Sequence, residues 1–492
     1  MVDLSLKGKR TIRLGNQGQA QRGNIIPTCD HRMLQYTNPG KNGECELIIG
    51  LDFGTSSSKV VIQAPDLPGS PSYAVDFSSY SNYPIAYLLP TRLWVLPSSG
   101  VCTLSGSDKD VMINNIKLEL FSKDESMYSN FGPIQQQFPT EEVTVCYLAL
   151  LLRFSRQWYL KNRHDLVRHF SRLVWSVNLG VPSPCAGNNE KNETFRRVGK
   201  AAWWLSLQAW DSITIEKAGI FLDIVDNTGN WDSGREFACD LEVIPEIAAG
   251  AVGYALSDLR REGLHVMVDI GASTVDACSF LLHEQGGNDR YSMLFSDVQQ
   301  LGSIRLFANR IFTYKKIYEK RTRALLSRHD PMAALSEDVT PYLVSQDHIV
   351  KVFGEVKKEL EKQFLHMIRR VIWQTKLHRA PYVSLWREGR LPILLIGGGS
   401  KIEFFRLAIG KLHGWLKYHT RNDGVNIISV PIPDSLKSSI KGTEEYHFLA
   451  VAWGLSHRSM DIGEIIPVEQ IPDAEPPPDN NWRRFYVGKE LV

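Results

Sequence analysis

The sequence predicts an α/β fold with two similar halves, and three stretches predict it. The first is Leu47-Ile48-Ile49-Gly50-Leu51-Asp52-Phe53-Gly54-Thr55-Ser56-Ser57-Ser58-Lys59-Val60-Val61-Ile62. The second is Val266-Met267-Val268-Asp269-Ile270-Gly271-Ala272-Ser273-Thr274-Val275-Asp276-Ala277, and the third is Ile393-Leu394-Leu395-Ile396-Gly397-Gly398-Gly399-Ser400-Lys401. Each opens as a short apolar run that ends in a glycine turn, the pattern of a buried strand. The first two carry an aspartate at the strand end and continue into a second strand, so each reads as a hairpin. The third runs on into a helix.

The remaining elements follow in order. Residues 1–44, rich in Gly, Gln, Asn, Lys and Arg without periodicity, read as a mildly basic, flexible arm. The first hairpin spans 46–63, and the Pro-, Ser- and Tyr-rich stretch 64–106 predicts loops and short strands. Apolar positions at Val145, Leu148, Leu151 and Leu152 predict a helix within 141–171. Leu173 to Val181 reads as a buried strand closed by Gly180 and Pro182. A helix over 192–211 carries Trp203, Trp204 and Trp210, which read as core rather than ligand-stacking residues. A strand near 218–225 and a helix over 246–258 precede the second hairpin at 264–282. Charged helices are expected over 300–328 and 347–376, a strand at 391–396, and helices at 401–415 and 444–457. Pro467, Pro472 and Pro476-Pro477-Pro478 make 461–492 an extended tail.

Composition excludes several classes. At 492 residues the chain is long enough for two or three domains, and 43% hydrophobic with 22% charged residues is ordinary for a globular protein. A formal charge of +2 gives no drive toward nucleic acid or an anionic membrane, so neither is expected as a direct partner. The seven cysteines show no CxxC spacing, which argues against a zinc site or disulfide framework and fits a reducing cytoplasm. No apolar core follows the N-terminal positive charges as in a signal peptide, and the apolar run Val143–Leu152 is about half a bilayer span.

The chemistry sits in the turns. A tight turn of Gly with Thr or Ser aims backbone N–H groups outward as a nest for phosphate. Gly54 and Gly271 permit close backbone approach, while Thr55, Ser56 and Thr274 add hydroxyl donors. Ala272, Ser273, Gly397, Gly398, Gly399, Ser400 and Lys401 complete the expected nucleotide-binding set. Asp52 and Asp269, at their strand ends, suit a hydrated Mg²⁺, and Asp276 would join them or brace the hairpin. Neither a Walker A loop nor a Rossmann GxGxxG fingerprint is present, so paired hairpins are a different solution to phosphate binding.

In this order the three segments resemble the two phosphate motifs and the adenosine motif of the actin, sugar-kinase and heat-shock-chaperone ATPase superfamily. The similarity is greatest to the ATPase domain of DnaK-type chaperones and covers about 46–457. It implies two actin-like (ribonuclease H-like) α/β domains flanking a nucleotide cleft: domain I at 45–255 with a returning helix at 444–460, and domain II at 256–443. It also implies ATP and Mg²⁺ as ligands. Asn115-Ile116-Lys117-Leu118-Glu119 is similar to the segment whose lysine positions the attacking water, which makes Lys117 the candidate. Ile244-Pro245-Glu246-Ile247-Ala248-Ala249 is similar to the linking helix with its Glu-Pro order inverted, which nominates Glu246. Asp269, Lys117, Glu246 and Thr274 are thus the expected catalytic residues.

Two departures qualify the resemblance. Ala272-Ser273 stand where the family has glycines, and the charged adenine helix has no clean match, leaving Lys357, Lys358 and Glu361 as candidates. The stretch after 457 is too short for a peptide-binding domain and lid. The expectation is an ATPase of low turnover that switches an unidentified protein partner. An actin-like filament former, a small-molecule kinase and a nucleotide sensor are the alternatives. Asp479 to Val487, mixing aromatics and arginines, reads either as a docking peptide for a partner or as a segment folded back on its own domain.

Overall fold

A computed structural model describes residues 40–474 apart from 81–84, 108, 115, 122–137, 183–188, 209–211, 228–239, 304, 307–345, 388, 438 and 441–444. Residues 1–39 of the N-terminal arm, Trp210, most of the helix expected at 300–328 and the segment Asp479–Val487 lie outside the described residues.

Two six-stranded sheets dominate. The first contains β1 (Glu44–Asp52), β2 (Ser57–Gln63), β3 (Ser72–Ala74), β4 (Leu89–Pro90), β8 (Arg172–Val181) and β10 (Asp240–Pro245). Its order is β10-β8-β1-β2-β3, with β4 on β2. A small sheet of β5 (Leu93–Leu96), β6 (Val101–Thr103), β7 (Val111–Ile113) and β9 (Ile213–Thr214) lies beside it in the chain. The second large sheet contains β11 (Gly263–Ile270), β12 (Val275–Gln285), β13 (Asn288–Gln299), β14 (Leu391–Ile396), β15 (Val425–Ser429) and β16 (Glu464–Ile466). Its order is β15-β14-β11-β12-β13-β16.

The two large sheets repeat one pattern. In each, two outer strands run parallel to the first strand of a hairpin, and a third antiparallel strand follows: β10, β8, β1, β2, β3 in one and β15, β14, β11, β12, β13 in the other. The inner parallel strands β1, β8, β11 and β14 are largely buried on both faces, which is why they read as near-continuous apolar runs.

Helices cover the sheets. In chain order they are α1 (Ile116–Phe121), α2 (Thr140–Asn162), α3 (Asn189–Ser206), α4 (Ile215–Asn227), α5 (Glu246–Ala255), α6 (Gln346–Gln374), α7 (Glu403–Gly410), α8 (Leu412–Thr420) and α9 (Tyr446–Leu455). One core joins α2, α3 and α4 to the first sheet, and Trp203 and Trp204 lie buried in it. A second joins α6, α7 and α8 to the other sheet. Between the sheets a third core surrounds α5 and α9 and includes Val61 and Ala74 from one sheet and Met267, Leu394 and Ile396 from the other. Among the described residues no helix is long and apolar enough to cross a membrane, and Cys45, Cys102, Cys146 and Cys278 are free and buried.

Several expectations need correction. The strand expected near 218–225 is part of helix α4. Its run Ala218-Gly219-Ile220-Phe221-Leu222 is too short for periodicity to decide, and the Thr214 hydroxyl, accepting from the Lys217 N–H at 3.2 Å, starts a helix. The helix expected at 401–415 is a 3₁₀ turn over Gly398–Lys401 followed by α7 and α8. The segment expected to be an extended tail holds, in its described part, β16, which pairs parallel to β13 through Arg290–Ser292. Strand β13 itself was not foreseen, although Gly286 and Gly287, with φ of +65° and +87°, make the two-residue turn that leads into it.

His265 ties α5 to β11. The Tyr254 hydroxyl donates to its Nε2 at 2.9 Å, and Nδ1 donates to Gly263 O at 2.9 Å. Burial pushes its pKa down to about 4. A base whose folded pKa is depressed contributes stability above its unfolded value near 6.5, and that stability is lost as pH falls toward 4. We expect His265→Gln to flatten this acid limb by about 3 kcal/mol. Urea melts at pH 4.5 and 7.5 test it, and an unchanged difference between the two pH values would rule out the histidine as its source.

Candidate functional site

The two hairpin turns and the third glycine turn meet at one cleft. Asp52, Gly54, Thr55, Ser56, Lys117, Glu246, Asp269, Gly271, Ala272, Thr274, Asp276 and Gly397–Gly399 all line it.

Each turn is held by its sheet. In the first, Asp52 pairs across the hairpin with Lys59, whose Nζ lies 3.0 Å from Asp52 Oδ2. Thr91, just after β4, braces the turn, donating through Oγ1 to Gly54 O at 2.7 Å and through its N–H to Ser56 O at 3.0 Å. In the second, the Gly271 N–H donates to Thr274 O at 3.0 Å, and Gly302 and Ser303 donate to Ser273 O and Gly271 O. Among the described residues, no hydrogen-bond acceptor engages the backbone N–H of Thr55, Ser56, Ala272 or Ser273. Both turns therefore offer anion-nest donors.

The third turn packs against the second hairpin. Ile396 pairs with Asp269, and Gly397 follows at φ +78°, where a Cβ would lie 2.2 Å from Asp269 Oδ1. Only glycine takes this conformation and this contact without strain.

Lys117, from α1, and Glu246, the first residue of α5, meet 2.6 Å apart although 129 positions separate them. The helix N-terminus favours the Glu246 charge. Four carboxylates thus face two ammonium groups, Lys59 and Lys117. Burial and the negative charges of Glu246 and Asp52 push Asp269 up to about 7. Burial, then Asp269 and Glu246, hold Asp276 well above the usual carboxylate range, and among the described residues its Oδ1 has no hydrogen-bond partner. Burial raises Glu246 even against the pull of Lys117. Burial opposes the Lys117 charge, but the attraction of Glu246 and Asp52 outweighs it and raises its pKa.

This excess negative charge and the unpartnered Asp276 oxygen fit a divalent cation. Among the described residues, no group of three or more His, Cys, Asp or Glu side chains is placed to hold a metal ion directly. The arrangement fits a hard ion that keeps its waters and phosphate ligands.

Not every expected residue reaches the cleft. Ser273 is buried beneath its turn, and Ser400 is buried with Oγ donating to Gly397 O at 2.7 Å. Lys401 is exposed on the glycine turn and does not line the cleft. The adenine-helix candidates also lie elsewhere: Glu361 pairs with Lys411, and Lys357 sits over the Phe404 ring. Sequence reasoning missed Lys59, Ser303, His447, Phe448 and Val451. Counting the hairpin register from Asp52 would have found Lys59. No local signal marks the three α9 residues, which only the docking of that helix brings in.

Removing Lys117 should leave Glu246 buried without its counter-charge. We expect Lys117→Met to cost about 3–5 kcal/mol at pH 8 and less at pH 5, because the unpaired, buried Glu246 carboxyl binds a proton more readily as pH falls. Equal losses in denaturant midpoint at both pH values would show that pairing is not what Lys117 supplies.

These residues define a mixed α/β protein with a polar cleft between its two large sheets. Comparison with protein-family models and with curated proteins returns no match to this chain.

Proposed function

We propose that the chain is a Mg²⁺-dependent, ATP-binding switch ATPase of the DnaK-like type, which acts on a protein partner. In this reading the two large sheets are the centres of two actin-like domains, 45–255 with the returning helix 444–460, and 256–443, and the cleft between them takes ATP. The observation that carries it is the convergence of both hairpin turns, the third glycine turn and the Lys117–Glu246 pair on one cleft.

The free N–H groups of Thr55, Ser56 and Ala272 would hold phosphate oxygens from two sides, with Thr274 at the γ-phosphate. Asp52, Asp269 and Asp276 would hold the water ligands of magnesium, which when bound neutralises charge on the phosphates. Asp269, Lys117 and Glu246 would position the attacking water. Loss of the γ-phosphate would release one hairpin and let the halves rotate about α5 and α9.

The test is phosphate release from ATP and Mg²⁺ over a range of protein concentrations. Slow turnover proportional to protein supports the reading. Turnover that rises steeply above a threshold concentration would replace it with the filament former, and no ATP binding would overturn it.

A further inference from the structure

His447 stands on the first turn of α9, beside Phe448, where the helix meets the third glycine turn. Its Nδ1 lies 3.4 Å from Ser400 Oγ. That hydroxyl already donates its one proton to Gly397 O. Ser400 is therefore left to accept from the imidazole, which places the ring proton on Nδ1 and a lone pair on Nε2. Among the described residues no partner engages Nε2. Burial, with Lys401 of the glycine turn and Arg406 of α7 nearby, pushes the imidazole pKa down to about 4. The ring stays neutral, an acceptor, at physiological pH. Phe448 closes over Gly398, where a Cβ would lie 2.6 Å from its ring, and provides an apolar surface next to that acceptor.

Gly397–Gly399, His447 and Phe448 line the same cleft as the hairpin turns, so a nucleoside whose phosphates sat on those turns would reach this pair if it extended past the glycines. We propose that His447 selects the nucleoside by accepting, at Nε2, a hydrogen bond from a donor on it. The donor is a ribose hydroxyl or the exocyclic amine of adenine. This rests on the ATP-binding reading of the cleft and adds a specificity-determining residue to it.

The experiment measures Mg²⁺-dependent binding of ATP, 2′-deoxyATP, 3′-deoxyATP, inosine triphosphate and tripolyphosphate to the full chain and to His447→Ala and His447→Gln. His447→Ala should weaken ATP about five- to tenfold, the worth of one hydrogen bond, and leave tripolyphosphate unchanged. His447→Gln, which restores an acceptor, should recover part of the loss. In the wild type, weaker binding of a deoxy analogue identifies the ribose as donor, and weaker binding of inosine triphosphate identifies the amine. The discrimination should be constant from pH 6 to 8. Unchanged ATP affinity in His447→Ala, or an equal loss for ATP and tripolyphosphate, overturns the inference while leaving the ATP site standing. Failure of both ATP and tripolyphosphate to bind the wild type removes the site itself.

Discussion

Asp269→Asn should lower phosphate release from Mg²⁺·ATP by about 10²–10⁴-fold, the usual contribution of a positioned acid or base. The same substitution should leave the fold intact. Asn has the shape of Asp, and shape matters here because Gly397 packs against Asp269 Oδ1 so closely that a Cβ has no room. The variant should also be more stable than the wild type above neutral pH. An acid whose folded pKa lies above its unfolded value costs stability as pH rises between the two, here from 3.8 to about 7. Removing that charge recovers about 2–4 kcal/mol at pH 8, the lower figure applying to the extent that cleft water screens it. Thermal melts without nucleotide and single-turnover phosphate release, on one preparation, read both effects. Normal turnover in a folded variant would remove Asp269 from the mechanism, and a variant that fails to fold would make the residue structural.

Gly454→Ala should destabilise the protein by about 3 kcal/mol, at the upper end of ordinary overpacking. Helices α5 and α9 cross at this glycine, and a Cβ there would lie 1.8 Å from Ala249 O and 2.6 Å from its carbonyl carbon. Both are backbone atoms, so no side chain can rotate away and the helices must separate. Helix α9 also packs on the first hairpin, since Gly50 of β1 lies under Ala452 O, where a Cβ would come within 2.1 Å. Separation at Gly454 therefore loosens the contact between both sheets, and nucleotide affinity should fall with stability. Gly414→Ala is the control. Gly414 lies in α8 with nothing within 4 Å of its Cβ position, and alanine there should stabilise by about 0.5–1 kcal/mol. Equal denaturant midpoints for Gly454→Ala and the wild type would mean that the crossing relaxes freely and is not the rigid centre of the molecule.

Both predictions concern residues whose roles differ in how far they could be read in advance. Asp269 was legible because its signal is local: an apolar run, an acid at its end and a glycine turn within a dozen positions describe a hairpin whatever surrounds it. The same holds for Asp52, Gly54, Gly271 and the glycines at 397–399, all of which line the cleft. Lys117 and Glu246 were nominated by resemblance alone. Their 2.6 Å pair depends on α1 and α5 converging from separate parts of the chain. Helix α4 was misread because an apolar run of five satisfies strand and helix alike, and what decides between them is a cap hydroxyl at Thr214 and packing against α3.

Local chemistry thus determined the three turns and the acids at the ends of the first two strands, because each depends on contacts between near neighbours in sequence. Tertiary structure alone decided the rest. It joined the sheets through the Gly454 crossing, paired Lys117 with Glu246, buried four carboxylates against two lysines, and set His447 and Phe448 beside the glycine turn. These features arise from packing between segments tens to hundreds of positions apart. Burial shifts the carboxylate pKa values and close backbone approach admits only glycine, and neither has a signature in any short stretch of the chain.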